Sequence, residues 1–459
     1  MTGQSRAGRP RVAIVGSGIS GLAVAHRLRG HADVTLFEAG DYFGGHTHTV
    51  DVTLPGLSGG PKSMVTHGVD TGFLVFNERT YPNLISLFAE LEVETAKSDM
   101  SFSVKVPDAL QGTGLEWSGS SLNSVFAQRR NLVNSRFLRM LRDIVRFNRI
   151  TTKLARSGAE AAMEQPLGDF LRAEKFSGEF RDWYFLPMMG CIWSCPTDQM
   201  LQFPVATMIR FCHNHGLIQI TDRPQWWTVK GGARHYVDKI IQGIADKRLN
   251  TPVRRVERDA SGVRIVTDAG TERFDQVVMA AHSDETLGML ALPSAAERTT
   301  LGAIRYQPNR AVLHTDASVL PNRKLAWAAW NYERAQNAGG ESAGVCLHYL
   351  LNMLQPLPFA QAVVVSLNPL QEIARKHIMG EFNYAHPVFD LAAMRAQKNV
   401  PSLQGQQHTW FCGAWTGYGF HEDGLKSGLE VARLMLAKNV SGADQVVAGA
   451  TDYALEAAA

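Results

Sequence analysis

The chain has 459 residues, 45% of them hydrophobic and 19% charged, and a net charge of +3. That length exceeds one average domain, and the composition is globular rather than disordered. So small a charge gives no support to nucleic-acid binding. Taken in chain order, Val12–Val15 predicts a buried strand, and Gly16, Gly18 and Gly21 follow it as G-x-G-x-x-G. They open a helix that runs past Ala25 to about Arg29. Val34–Phe37 predicts the second strand, and Glu38 ends it, 17 residues after Gly21. The first glycine permits a tight turn, the second admits a pyrophosphate to the backbone, and the third packs helix on strand. The helix N-terminus then offers N–H groups and a positive dipole end to the phosphates. A carboxylate at Glu38 suits a ribose and repels a 2′-phosphate, so strand, turn, helix and acid together imply a dinucleotide other than NADP.

Further along, Gly44, Gly45 and His46 form a second glycine pair. Helical periodicity marks Tyr81–Leu91 and Asn131–Arg156. Strand-like runs fall at Ala311–His314, Val345–Leu350 and Ala362–Leu367, with a loop at Gly339–Gly344. Phe411 and Cys412 end a short strand and Gly413 turns the chain. Asp423 is placed to N-cap a last helix whose apolar positions are Leu425, Leu429, Ala432 and Leu436. The small residues Gly424, Ser427 and Gly428 predict close approach to a flat ring. The tail from Gly442 is Ala-rich. Cys191, Cys195, Cys212, Cys346 and Cys412 are five in number and lack C-x-x-C spacing, which reads as reduced thiols in a cytoplasmic protein. No signal-peptide core is present in MTGQSRAGRPR, and no apolar run approaches the ~20 residues of a membrane span.

With Gly44-Gly45-His46 and the segment Phe411–Met435 (FCGAWTGYGFHEDGLKSGLEVARLM), the sequence resembles the flavin amine oxidase and phytoene desaturase superfamily. WTVKGG (Trp227–Gly232) looks like that family's central glycine pair. VDTGFLVFNERTYPNL (Val69–Leu84) and GFHEDGLKSGL are similar to a bacterial subgroup of FAD-binding oxidoreductases. That subgroup is associated with cyclopropane-fatty-acid-synthase-like enzymes and with the desaturases of furan fatty acid synthesis. The resemblance implies an α/β fold: a discontinuous Rossmann-like FAD-binding domain from residues 9–75, 222–300 and 405–440. A second, α+β substrate domain would take 76–221, with its helical insertion, and 301–404, with a small sheet. It further implies FAD held non-covalently. Gly16, Gly18, Ser20, Gly21, Glu38 and Ala39 would contact it, with Gly44, Gly45, His46 and Thr47. From later in the chain come Val253, Gly413, Asp423, Gly424 and Leu425.

Several constellations bear on chemistry. His46 stands where the family has arginine, and its protonated form suits a pyrophosphate. Trp415 and Tyr418 resemble the aromatic pair of amine oxidases, although Gly419, Phe420 and His421 displace the pattern. Those enzymes place a lysine near the position of Arg310; an arginine stays protonated and is no base. His421 is the expected base, oriented by Glu422, with His348 on the opposite sheet in reserve. The pairs His46/His48 and His213/His215 lack further ligands at recognised spacing, so no metal is expected. Arg139, Arg142, Arg146, Arg149, Lys153 and Arg156 recur at intervals of 3, 4, 3, 4 and 3 with Asp143 the one nearby acid. That stripe is either a solvated helix face or a dock for an anionic membrane, on the membrane's inner side.

The expected reaction is FAD-dependent dehydrogenation, or desaturation, of a lipid acyl chain, with an unidentified electron acceptor. Amine oxidation is the alternative, and a non-catalytic FAD-binding protein is the reading outside enzymes.

Overall fold

The computed structural model describes residues 8–58, 63–159, 163, 165–193, 197–218, 223–334 and 346–441. Cys195, the Gly339–Gly344 loop and the tail from Gly442 lie outside them.

Val12, Ala13 and Ile14 are almost fully buried, and so apolar a strand must be covered on both faces. Arg11–Val15 is accordingly the middle strand of a five-stranded parallel sheet. The order is Asp246–Arg248, Asp33–Phe37, Arg11–Val15, Gln276–Met279, Thr409–Phe411. The helix Ile19–Leu28 crosses from the first strand to Asp33–Phe37, whereas Gln276–Met279 lies on the other side. Strand order reverses there, which opens a crevice at the carboxyl ends of the strands.

The C-terminal helix His421–Ser441 packs along Ile19–Leu28 and corrects two expectations. Its small residues serve that packing rather than a flat ring. A Cβ at Gly428 would lie 2.3 Å from the Ser20 carbonyl oxygen, and one at Gly424 would lie 2.8 Å from Ile19 Cγ2. Asp423, moreover, does not precede the helix but sits in its first turn, where its Oδ2 accepts from the Phe420 N–H at 3.0 Å. Capping is achieved from inside the helix, because the turn at Gly419 leaves the Phe420 N–H without a helical partner.

The small sheet expected in the second half has seven strands. In order these are Ile378–Val388, Arg305–His314, Val364–Leu367, Cys346–Leu350, Trp330–Glu333, Phe102–Val106 and Leu115–Ser118. Phe102–Val106 pairs in parallel with Trp330–Glu333, so a hairpin from the helix-rich stretch extends the sheet. A helical layer covers 122–214. Within it the long basic helix runs Ser135–Ser157, not from Asn131. Asn134 breaks the chain there by accepting the N–H groups of Arg136 and Phe137. Gly158, at φ 67°, ends it. Phe137, Met140 and Phe147 form its buried side. No helix among the described residues is long and apolar enough to cross a membrane.

Candidate active site

A cavity of about 640 Å³ opens at the strand reversal and reaches into the helical layer. Its first end is mostly backbone. Gly16 adopts φ +102°, a left-handed conformation, and a Cβ there would lie 2.8 Å from the Ala280 carbonyl oxygen. At Gly18, by contrast, a Cβ would have no protein atom within 4 Å and would project into free space. No side chain caps the Ile19–Leu28 helix that begins there. Ser20, Ala39, Gly44, Gly45, Val253 and Gly413 also line the cavity. So does Glu38, whose carboxylate accepts from the Ser17 N–H at 3.0 Å and the Gly40 N–H at 2.8 Å. These bonds fix it at the end of its strand.

Five residues expected to touch the cofactor stand behind this surface instead. Gly21 packs on the Gly16 carbonyl, Thr47 is buried against the Tyr236 hydroxyl, and Asp423, Gly424 and Leu425 belong to the helix interface. They shape the wall without lining it. His46 does line it, but its charge is not as expected. Burial, then the nearby His386, His282 and His421, push its imidazole well below the ordinary range, so the ring is neutral. Its Nε2 is buried without a partner, an unmet hydrogen-bonding capacity in a residue that lines the cavity.

The other end is walled by side chains: Phe73, Tyr81, Phe211, Trp226, Trp330 and Tyr349. Between the ends stands His421. Its ring stacks on Phe73 at 3.9 Å and 14°, and its Nε2 shares a 2.8 Å hydrogen bond with the Tyr236 hydroxyl. That hydroxyl is in turn 2.5 Å from Thr47 Oγ1. Enclosure brings His421 down to about 3, so it too is neutral. The glycine pair Gly231–Gly232, with φ of 79° and 110°, does not meet the cavity. It turns the chain from Trp226–Val229 into the helix that carries Tyr236.

Two catalytic expectations are overturned. Glu422 points away from His421 and receives the N–H groups of Asn83 and Leu84 at 2.9 and 3.0 Å, together with the Asn83 amide. It caps the helix Pro82–Glu90, whose first N–H groups have no helical acceptor. His348 faces the opposite side of its strand from the cavity residue Tyr349. There it is buried between Ser366 (2.6 Å) and Glu333 (3.2 Å), and Lys105 pairs with Glu333 at 2.9 Å. Cys346 lies beside them, so Glu333, Cys346 and His348 bring ligand-type atoms within 4.8 Å of one another. Their mutual bonds and the lysine already satisfy the group.

Arg310 is also remote: it pairs with Glu381 at 2.7 Å, and Tyr306 is the cavity residue of its strand. Of the W-x-G-Y pair, Trp415 reaches the cavity and donates to the Ala281 carbonyl, while Tyr418 does not reach it. Cys412 is buried behind the wall, its thiol pushed up by burial. Sequence reasoning missed Phe73, Tyr236, His282 and His386. Of these, only His282 carried a signal, since it follows the carboxyl end of a central strand. Among the described residues that line the cavity, none is lysine or arginine.

An uncapped helix N-terminus, a glycine with open space above it, an anchored acid at the second strand and an unpartnered imidazole fit a dinucleotide. The sequence profile described as "Flavin containing amine oxidoreductase" matches residues 19–312. The chain belongs to this family. Its cofactor is FAD. The protein AofH of Mycobacterium tuberculosis, which bears the name of a flavin-containing monoamine oxidase, is 25% identical over 285 residues. The match takes in 59% of this chain and 56% of that relative, so the chain spans little more than half the length of this curated relative. The same fold occurs in a fatty acid isomerase from P. acnes (TM-score 0.63, 15% identity, 93% of this chain and 98% of the other). It occurs also in cyclohexylamine oxidase from Brevibacterium oxydans (TM-score 0.64, 17% identity, 94% and 100%). Putrescine oxidase shares it (TM-score 0.65, 16% identity, 94% and 99%).

Proposed function

We propose that this oxidoreductase dehydrogenates the acyl chain of a lipid, forming a carbon–carbon double bond. The reading places it with the bacterial subgroup that the sequence resembles. The observation that carries it is the apolar end of the cavity. That end holds aromatic and aliphatic side chains, whereas the two acids lining the cavity, Glu38 and Glu285, come from the dinucleotide side. Such a wall suits a long hydrocarbon. The absence of lysine from the described lining and the retreat of Tyr418 count against the amine oxidase arrangement. The fatty acid isomerase is a precedent for acyl chains on this fold.

FAD, when bound, would supply a hydride acceptor. Gly16, Gly18, Glu38 and Val253 would hold the dinucleotide, and the aromatic wall would exclude water and align the chain. The second proton must leave the neighbouring carbon. With His421 Nε2–H donating to Tyr236, and Tyr236 donating to Thr47, the Nδ1 lone pair is free to take it. So enclosed an imidazole is a weak base. Proton loss therefore accompanies or follows hydride departure, which makes the adjacent C–H acidic.

The substrate's source would be an anionic membrane, met through the Ser135–Ser157 helix. Arg139 and Arg146 are drawn to Glu179 and Glu174. Arg142 is 76% exposed, and Arg149, Lys153 and Arg156 are exposed with no acid within 4 Å among the described residues. Val133, Leu138 and Val145 are exposed beside them, which adds apolar surface to the charge. Reversal of Arg142, Arg149 and Lys153 to Glu should abolish co-sedimentation with anionic vesicles; unchanged sedimentation would reduce the stripe to a solvated face.

Anaerobic mixing with unsaturated acyl lipids and with mono- and polyamines tests the reaction. Flavin bleaching by an acyl lipid is expected. Bleaching by amines alone would replace this reading with amine oxidation.

A further inference from the structure

The dinucleotide end of the cavity must accommodate a doubly negative pyrophosphate, yet no lysine or arginine is found among its described lining residues. What it presents is histidine. His46 follows the glycine pair that meets the start of the Ile19–Leu28 helix: Gly44 bridges to Gly18, and a Cβ on Gly45 would lie 3.2 Å from Gly18 Cα. His386 and His282 stand beside it, with ring centroids 5.4 and 6.1 Å from its own, and all three line the cavity. His386 Nδ1 lies 2.8 Å from the Asn309 amide nitrogen, which also donates to the Gln307 carbonyl. That nitrogen is a donor, so His386 Nδ1 accepts and its ring proton is on Nε2. His46 Nε2 has no partner at all.

From this cluster we infer that His46, His282 and His386 receive the FAD pyrophosphate, and that cofactor binding carries a proton into the site. FAD is therefore held more tightly as pH falls. The physical reason is a mismatch between the two states. Without a phosphate, burial and neighbouring imidazoles disfavour positive charge on two of these rings: His46 lies well below the ordinary range and His386 near 4. A pyrophosphate reverses the balance, since an anion beside an imidazole favours imidazolium. Groups facing the cluster from every side leave that reversal open. Glu38 comes from the second strand and Glu285 from the helix Ser283–Met289. Tyr306 and Tyr384 come from the seven-stranded sheet, and His421 from the last helix. The two acids are already engaged: Glu38 with backbone N–H groups, and Glu285 with His282 at 3.8 Å. Neither supplies positive charge for the phosphates. A proton does.

The linkage sign follows. When the complex binds one more proton than the free protein, the FAD dissociation constant rises with pH, by up to roughly tenfold per unit. Equilibrium dialysis of the holoenzyme between pH 6 and 8.5, reading released FAD by fluorescence, measures it without any substrate. The expected result is that rise in wild type, its disappearance in His46→Gln, and tight, pH-independent binding in His46→Arg. His314→Gln serves as the control. His314 is also buried and brought down to about 4, but lies in the seven-stranded sheet against Ser366, outside the cavity lining. It should keep the wild-type slope. A flat wild-type profile would overturn the inference. So would a slope that survives in His46→Gln or vanishes in His314→Gln, since both assign the pH dependence to the protein's general stability.

Discussion

At one end of the cavity the walls are backbone: Gly18 leaves open space, while Gly16, Gly44 and Gly45 pack against the protein's own backbone. At the other they are side chains gathered from distant segments, Phe73, Phe211, Trp226 and Trp330 among them. The backbone end is fixed by where a Cβ cannot go, so single additions there should be decisive. The side-chain end is fixed by volume and polarity, so it can be remodelled with less loss. A third place, the contact between Ile19–Leu28 and the last helix, uses the same residue type for another purpose. Gly18 faces emptiness, while Gly424 and Gly428 face another helix.

The sharpest break of this comparison is Gly18→Leu. Nothing in the protein meets a Cβ at that position, and Gly18 has φ −61°, a value any residue adopts. The variant should fold with unchanged circular dichroism and retain no FAD after gel filtration. A yellow Gly18→Leu protein would remove the pyrophosphate from this end.

Next comes His421→Ala, which tests the junction of the two ends. FAD should stay bound while anaerobic flavin reduction by an acyl lipid slows by about 10²–10⁴. An unchanged rate would leave His421 as a wall residue stacked on Phe73.

Gly428→Ala should act on stability rather than on the cofactor site. Its Cβ would meet the Ser20 carbonyl oxygen at 2.3 Å, and overpacking of this kind costs about 1–3 kcal/mol. Urea unfolding should show that loss even in the apoprotein. Equal stability with selective loss of FAD would return this glycine to the role first expected of it.

Acid should loosen the whole molecule. Folding lowers His46, His48, His215, His314, His386 and His421, chiefly by burial, His215, His314 and His386 to about 4 and His421 to about 3. Below the ordinary histidine value of 6.5 the unfolded chain therefore binds more protons, and stability is lost as pH falls towards 4. Asp70 and Asp423, raised by burial to about 6, and Glu422, also raised by burial, act in the opposite sense. Six histidines outweigh three carboxyls. Apoprotein midpoints measured from pH 7 down to 4.5 should fall; a constant or rising midpoint would refute the neutral histidines.

The smallest effect is expected at Glu422→Gln. The amide still accepts one N–H from the Pro82–Glu90 helix but loses the charge, a change of about 1 kcal/mol or less. Flavin reduction should be unaffected, and a large kinetic defect would restore Glu422 to the chemistry.

What the sequence determined by itself is the dinucleotide end. The spacing of Gly16, Gly18, Gly21 and Glu38 is a local matter of one strand, one turn and one helix, and backbone geometry over so short a span follows from residue type. The strands Arg11–Val15 and Asp33–Phe37 were legible for the same reason, as short apolar runs, whereas Asp246–Arg248, charged throughout, was not. The boundaries of Ser135–Ser157 and the extent of the seven-stranded sheet were not, because Asn134 could have capped or continued, and Phe102–Val106 found its partner 228 residues away. Only the tertiary structure decided the roles of the acids and histidines. Glu422 and His421 are neighbours in sequence, yet on a helix successive side chains diverge by about 100°, so one caps another helix and the other faces the cavity. His46, His282 and His386 come from three remote segments that no spacing rule connects. The protonation of His46 and His386 depends on burial and on neighbouring imidazoles, and neither exists until the chain has folded.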